Sequence, residues 1–287
     1  MPGSRQSPLL LTSAFTLLAM LAFAGNSLLC RVALKQTGID PASFTLIRLA
    51  SGALVLWLIV RLRSGQQQPS GSWASAMALF AYAAGFSFAY VSLTAATGAL
   101  LLFGAVQATM ISWGLLCGER LAGKQVGGLL LALAGLGGLL LPGLAAPPLV
   151  GALLMLGAGV AWGVYSLRAK GAGDATNATA GNFMRAAPLA VFLALLSWPW
   201  LVLDWAGALY AVLSGALASG LGYAVWYTAL RGLQATSAAT VQLSVPVITA
   251  LGGVWLLGEG IDLRLVMAST AILGGIAIVI SHQAVRP

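Results

Sequence analysis

Long uninterrupted apolar stretches alternate with short polar links along the whole chain. Ten of these runs come near the ~20 residues a helix needs to cross a hydrocarbon core of about 30 Å: 9–30, 42–60, 73–92, 96–116, 126–141, 149–167, 180–201, 207–229, 236–257 and 264–281. The fifth is short and reaches a full crossing only with its flanking glycines and leucines. The runs are apolar all round rather than along one stripe, which is how a helix solvated by lipid reads. The pattern predicts an all-α integral membrane protein of ten transmembrane helices.

Composition agrees. Hydrophobic residues are 60% and charged residues 7% of the 287 positions, against about 25% charged in a soluble domain that needs a solvated shell. All six acids, Asp40, Glu119, Asp174, Asp204, Glu259 and Asp262, fall between the runs, where an ionised carboxylate escapes the cost of the bilayer centre. With the N-terminus inside, nine basic residues face the cytoplasm (Arg5, Arg61, Arg63, Arg120, Lys124, Arg168, Lys170, Arg231, Arg286) and three face outward (Arg31, Lys35, Arg264). This positive-inside bias predicts that both termini are cytoplasmic.

The net charge of +8 is spread over short loops, so it reads as topology signalling and not as a nucleic-acid surface. Ala22-Phe23-Ala24 resembles a signal-peptide cleavage site, but the run around it is long for a signal core and is taken as a retained first span. Cys30 and Cys117 fall at opposite ends of the membrane, too far apart for a disulfide. With one histidine, His282, no metal-ligand cluster forms, and neither metal nor cofactor is expected. No nucleophile, base or carboxylate pair converges, so an enzyme is not expected either.

The chain repeats itself. Tyr90 and Tyr227 are 137 positions apart, as are Arg48 and Arg185, and each half runs on to a Gly-Glu pair, Gly118-Glu119 and Gly258-Glu259. Each half also ends in a glycine-rich span, with Gly127, Gly128, Gly135, Gly137 and Gly138 in one and Gly274 and Gly275 in the other, the small residues that let helices approach in lipid. The halves are 1–141 and 149–287. Because five spans is an odd number, the second half enters from the opposite face, giving an inverted repeat with a site near midplane.

The helix-ending Gly258-Glu259 after a span with Gln242 and Pro246, an arginine early in spans two and seven, and two five-span halves resemble the EamA-type ten-helix members of the drug/metabolite transporter superfamily. The resemblance covers essentially the whole chain. Gly25-Asn26-Ser27 and the stretch from Phe103 to Met110, with Gln107 where the family often has a proline, resemble the YddG aromatic amino-acid exporter branch. The resemblance implies a basket-shaped bundle in the bacterial inner membrane, with spans one, three, four, six, eight and nine around a central cavity, exporting amino acids. Gln107 departs from the pattern and denies Pro246 a symmetric partner.

Several side chains could form the site. Tyr82, Phe86 and Tyr90 lie on one face of span three, as packing or as a ligand wall. Phe103, Gln107 and Met110 make a similar stripe on span four, and Gln242, Pro246 and Thr249 on span nine. A mid-membrane glutamine must bond another helix or something in a wet cavity. Asn26 and Trp162 occupy the first span of each half, and Trp162 lies too deep for the interfacial belt. Span eight offers Ser219, Tyr223 and then Trp226 or Tyr227, while Arg48 and Arg185 either snorkel towards an interface or pair with a substrate carboxylate.

No carboxylate or histidine lies within a span, so proton coupling is disfavoured and gradient-driven export of a neutral or zwitterionic small molecule fits better. The expected mechanism is alternating access by a monomer in the lipid bilayer. A broad exporter of lipophilic drugs or metabolites and a non-transport membrane scaffold are the alternatives.

Overall fold

Four of the acids between the runs are helix caps. Asp40 accepts the amides of Ala42 and Ser43, Asp174 those of Thr176 and Asn177, Asp204 that of Gly207 and Asp262 that of Leu265. Each takes up donors that a helix start leaves free. Ser72 and Thr94 do the same for the amides of Ser75 and Thr97.

The computed structural model describes residues 8–64, 69–118, 121–141, 146–169, 173–230, 233, 238 and 241–283. Arg5, Glu119, Arg120, Lys170, Arg231 and Arg286 lie outside the described residues. The helices are α1 (Pro8–Gln36), α2 (Pro41–Ser64), α3 (Trp73–Tyr90), α4 (Ala95–Leu116), α5 (Gly123–Leu140), α6 (Leu149–Ala169), α7 (Ala175–Leu196), α8 (Trp205–Leu230), α9 (Ser244–Leu257) and α10 (Leu263–Gln283). Eight of them are long and apolar enough to cross a bilayer; α3, of 18 residues, and the shorter apolar α9 complete the set among the described residues. The fold is all-α and integral to the membrane.

Several elements differ from the sequence expectation: α1 runs on to Gln36 instead of ending at 30, taking Arg31 and Lys35 into the helix. Span seven begins at Ala175 rather than 180, because Thr176, Asn177 and Thr179 turn inward and are buried. It ends at Leu196 instead of running to 201, where Trp198–Trp200 forms a separate short turn around Pro199. Span nine is interrupted at Leu243, with Val241 and Gln242 helical before it and Ser244–Leu257 after it. Pro246 explains the break, since its ring clashes with the carbonyl four residues earlier and it has no amide to donate.

Within α8 the residues Leu213–Leu221 widen into a π-helix. There Gly215 lies against α2 so closely that a Cβ would come 2.1 Å from the Arg48 carbonyl oxygen. The main neighbours are α2 with α7, α2 with α8, α5 with α10, α3 with α6, α4 with α6 and α1 with α8. Smaller contacts join α4 to α9, α1 to α9 and α3 to α7.

Glycines set the closest approaches. A Cβ on Gly275 would come 2.4 Å from the Gly128 carbonyl oxygen, and one on Gly135 would come 2.7 Å from the Ala271 Cβ. Gly127, Gly137, Gly138 and Gly274 face open space. Tryptophans at the span ends, Trp73, Trp198, Trp200 and Trp205, are exposed as interfacial residues are.

Candidate functional site

α1, α4, α6 and α8 enclose a cavity of about 430 Å³. Phe23 enters it from α1, Val106, Gln107 and Met110 from α4, Trp162 and Tyr165 from α6, and Tyr223, Trp226 and Tyr227 from α8. Gln242 borders it ahead of α9, and it reaches Ala169 and the exposed Gly173 at the link between α6 and α7. Among the described residues no charged side chain lines it.

Trp162 sits at the blind end among three tyrosines. Its ring lies 4.8 Å from Tyr82, 5.3 Å from Tyr165 in a stacked pair, and 5.1 Å from Tyr223. The rings continue in both directions, through Tyr82 to Phe86 and Tyr90 on one side and through Tyr223 to Phe23 and Trp226 on the other. Such pairs hold their geometry because ring edges meet ring faces.

Past Trp162 lies a small cavity of about 20 Å³ that shares Phe23, Trp162 and Tyr223 as walls. Asn26, Tyr82, Phe86 and Phe103 also line it. Asn26 Nδ2 donates to Tyr82 Oη at 3.1 Å, and Ser214 of the π-helical segment donates to Asn26 Oδ1 at 2.6 Å. Arg48 Nη2 donates to the same Tyr82 oxygen at 2.9 Å, and its guanidinium stands over the rings of Phe86 and Tyr82 at 4.8 and 5.1 Å.

A second polar cluster ties α6, α7 and α8 beside the large cavity. Tyr165 donates to Thr179, Thr179 donates to Tyr227, and Asn182 donates to Tyr165. Asn177 and Asn182 also accept the amides of Ser70 and Ser72, holding the link before α3 against α7.

At the opposite end of the bundle a buried ion pair ties the helices together. Arg31 Nε meets Glu259 Oε1 at 2.9 Å, both side chains buried, and Arg31 Nη1 donates to the carbonyls of Tyr90 and Val91. Glu259 Oε2 accepts the Ala95 amide at the start of α4. One ion pair thus joins α1, the α3–α4 turn and the end of α9. Gly258, at φ 62°, ends α9 in the left-handed conformation that turns the chain to present Glu259.

Of the residues singled out from sequence, Gln107, Met110, Trp162, Tyr223 and Gln242 line the large cavity, and Asn26, Tyr82, Phe86 and Phe103 line the small one. Tyr90 lies beyond them, fully buried, with its ring on Phe86 and its hydroxyl donated to the Ala95 carbonyl. Ser219 is buried in the π-helical segment away from both cavities, its hydroxyl unpartnered. The two arginines differ: Arg185 reaches the Ser70 and Gly181 carbonyls at the end of the bundle, whereas Arg48 is 1% exposed and does not snorkel. Tyr165 and Phe23 were not anticipated, although Tyr165, one turn after Trp162, was readable as the same helix face. Thr179 lay hidden because its span was started too late.

Residues 149–281 match the model of the EamA-like transporter family. The uncharacterized protein PA1977 of Pseudomonas aeruginosa is 60% identical over 273 residues, covering 95% of this chain and 95% of its own. An uncharacterized transporter of Archaeoglobus fulgidus is 28% identical over 288 residues, covering 93% of this chain and 96% of its own. A solved crystal structure superimposes with a TM-score of 0.67 at 22% identity, over 96% of this chain and 99% of that one, which is a likeness of fold.

Proposed function

Because the second half of the chain, residues 149–281, matches the EamA-like transporter family, we propose that the protein is a transporter that exports amino acids, aromatic and other neutral or hydrophobic ones, with related metabolites, across the bacterial inner membrane. The observation that carries this reading is the cavity of about 430 Å³ whose blind end is Trp162 among Tyr82, Tyr165 and Tyr223. Its volume suits one small solute. Its rings offer faces to an apolar side chain, and the side-chain oxygens of Gln107, Ser166 and Gln242 offer acceptors to a solute's ammonium.

The transport cycle is alternating access between two inverted halves, 1–141 and 149–287. Exchanging each helix for the one five places on maps the contact of α3 with α6 onto that of α8 with α1, and α4 with α6 onto α9 with α1. Asp40 and Asn177, 137 positions apart, play matching parts: Asp40 accepts the amide of Val202 before α8, and Asn177 that of Ser70 before α3. The family match begins at 149, where the second half begins. With both termini cytoplasmic, the large cavity opens inward and the Arg31–Glu259 pair closes the outer end.

The absence of charge from the lining among the described residues also favours a second reading, export of lipophilic compounds of several kinds. Cells fed a phenylalanine-containing dipeptide test the first. Expression of the protein should speed release of free phenylalanine and lower its internal level; equal release with and without expression contradicts amino-acid export. A cytoplasm-dependent reporter fused after Pro287 should be active and a periplasm-dependent one silent.

A further inference from the structure

We infer that Arg48 is the counter-ion for a carboxylate on the transported solute, with Tyr82 as the hydroxyl through which the two meet. The identity of that solute as an amino acid rests on the function proposed above; the counter-ion role does not. Arg48 is among the largest fully buried side chains, one of very few charged groups in the interior of a membrane protein. Such a group is expensive in lipid and normally finds a carboxylate or carbonyls. Among the described residues Arg31 and Glu259 form the one salt bridge, and no carboxylate reaches Arg48. Its Nε and Nη1 have no hydrogen-bond partner among the described residues.

The other arginines near the interior show what satisfaction looks like here. Arg31 binds a carboxylate and two carbonyls, and Arg185, the residue 137 positions on from Arg48, binds two carbonyls. Arg48 has one hydroxyl and two ring faces. Ring faces soften the charge without filling its N–H positions. A purely structural arginine would not be left with two empty donors, since each unmet buried donor is costly.

The position suits a ligand. Both rings under the guanidinium, Tyr82 and Phe86, are walls of the small cavity at the blind end of the large one. Tyr82 Oη accepts from Arg48 and from Asn26, so its own proton is polarised and available to an anion. A cavity of about 20 Å³ has room for about one water-sized group, such as an oxygen of a carboxylate. A carboxylate placed there would lie outermost, with the rest of the solute extending past Trp162 into the larger space. An ammonium would find the neutral oxygens and ring faces of the large cavity, but no carboxylate, among the described residues. The site therefore selects anions and zwitterions over cations.

Thermal stabilisation of the purified full-length protein by four matched probes tests this: phenylalanine, 3-phenylpropionate, phenylalaninamide and phenethylamine. The two carboxylates should stabilise the parent protein and the amide and amine should not. Arg48→Gln should abolish the response, and Arg48→Lys, which keeps the charge without the planar fork, should raise the half-saturating concentration at least about tenfold. Amide binding equal to that of phenylalanine, no response to either carboxylate, or an unchanged half-saturation in Arg48→Gln overturns the proposal. The probe comparison on the parent and on Arg48→Lys decides the matter even where Arg48→Gln does not fold. An Arg48-dependent response to 3-phenylpropionate without one to phenylalanine keeps the counter-ion and removes the amino-acid reading. A response to phenethylamine alone overturns both.

Discussion

Arg31 and Glu259, 228 positions apart in the chain, meet at 2.9 Å and tie the helices together at one end of the bundle. The carbonyl of Tyr90 holds the same guanidinium, and the Tyr90 ring leads through Phe86 and Tyr82 to Trp162 at the blind end of the cavity. The ion pair and the cavity wall are thus one packed series of groups. Cys30, fully buried beside Arg31 in sequence, reports on it. In a Cys117→Ser background, Glu259→Gln should speed modification of Cys30 by a membrane-impermeant maleimide at least about tenfold, as the closed state loses its charge pairing. An unchanged rate would mean that this ion pair does not hold the end shut.

Trp162 touches three tyrosine rings and borders both cavities. Trp162→Ala should change the relative transport of large and small amino acids by up to about tenfold, the ~0.5–1.5 kcal/mol an aromatic contact brings beyond area burial. The variant should remain monodisperse in detergent. A full retention of the parent's ranking and rate would make Trp162 a packing residue.

No carboxylate lines the large cavity among the described residues. Counterflow of labelled phenylalanine should therefore be the same, within about twofold, with and without an imposed pH gradient. Proton-driven accumulation against the solute gradient would contradict a gradient-driven exporter.

The α5–α10 contact depends on particular glycines. Gly275→Leu would drive a side chain into the Gly128 backbone, and such overpacking costs about 1–3 kcal/mol or more. It should lower the thermal midpoint by several degrees, whereas Gly274→Leu, which faces open space, should leave it within a degree or so. Equal effects at the two positions would contradict this packing.

The fold was legible because lipid leaves a plain record: among the described residues each apolar run carries a helix, and Asp40, Asp174, Asp204 and Asp262 between the runs are caps. Boundaries failed where polar residues turn inward, since Thr176, Asn177 and Thr179 read as a loop and are the buried start of α7. Within the site, side chains with a helix-face pattern were readable, Tyr82 and Phe86 on α3 and Gln107 and Met110 on α4 among them. Long-range partners were not. The sequence offered Arg48 either snorkelling or a substrate carboxylate, and Glu259 a motif, but not Tyr82 for one or Arg31 for the other. Nor did it signal the π-helical turn that brings Ser214 to Asn26.

Solute transport by the purified protein in liposomes decides whether the aromatic cavity serves amino acids. Proteoliposomes preloaded in turn with phenylalanine, leucine, alanine and one lipophilic cation would be assayed for exchange with labelled phenylalanine. Exchange driven by phenylalanine and leucine, weaker with alanine and absent with the cation, is expected of an exporter built on Trp162 and its tyrosines. Exchange driven by the cation alone, or none above protein-free liposomes, would contradict it.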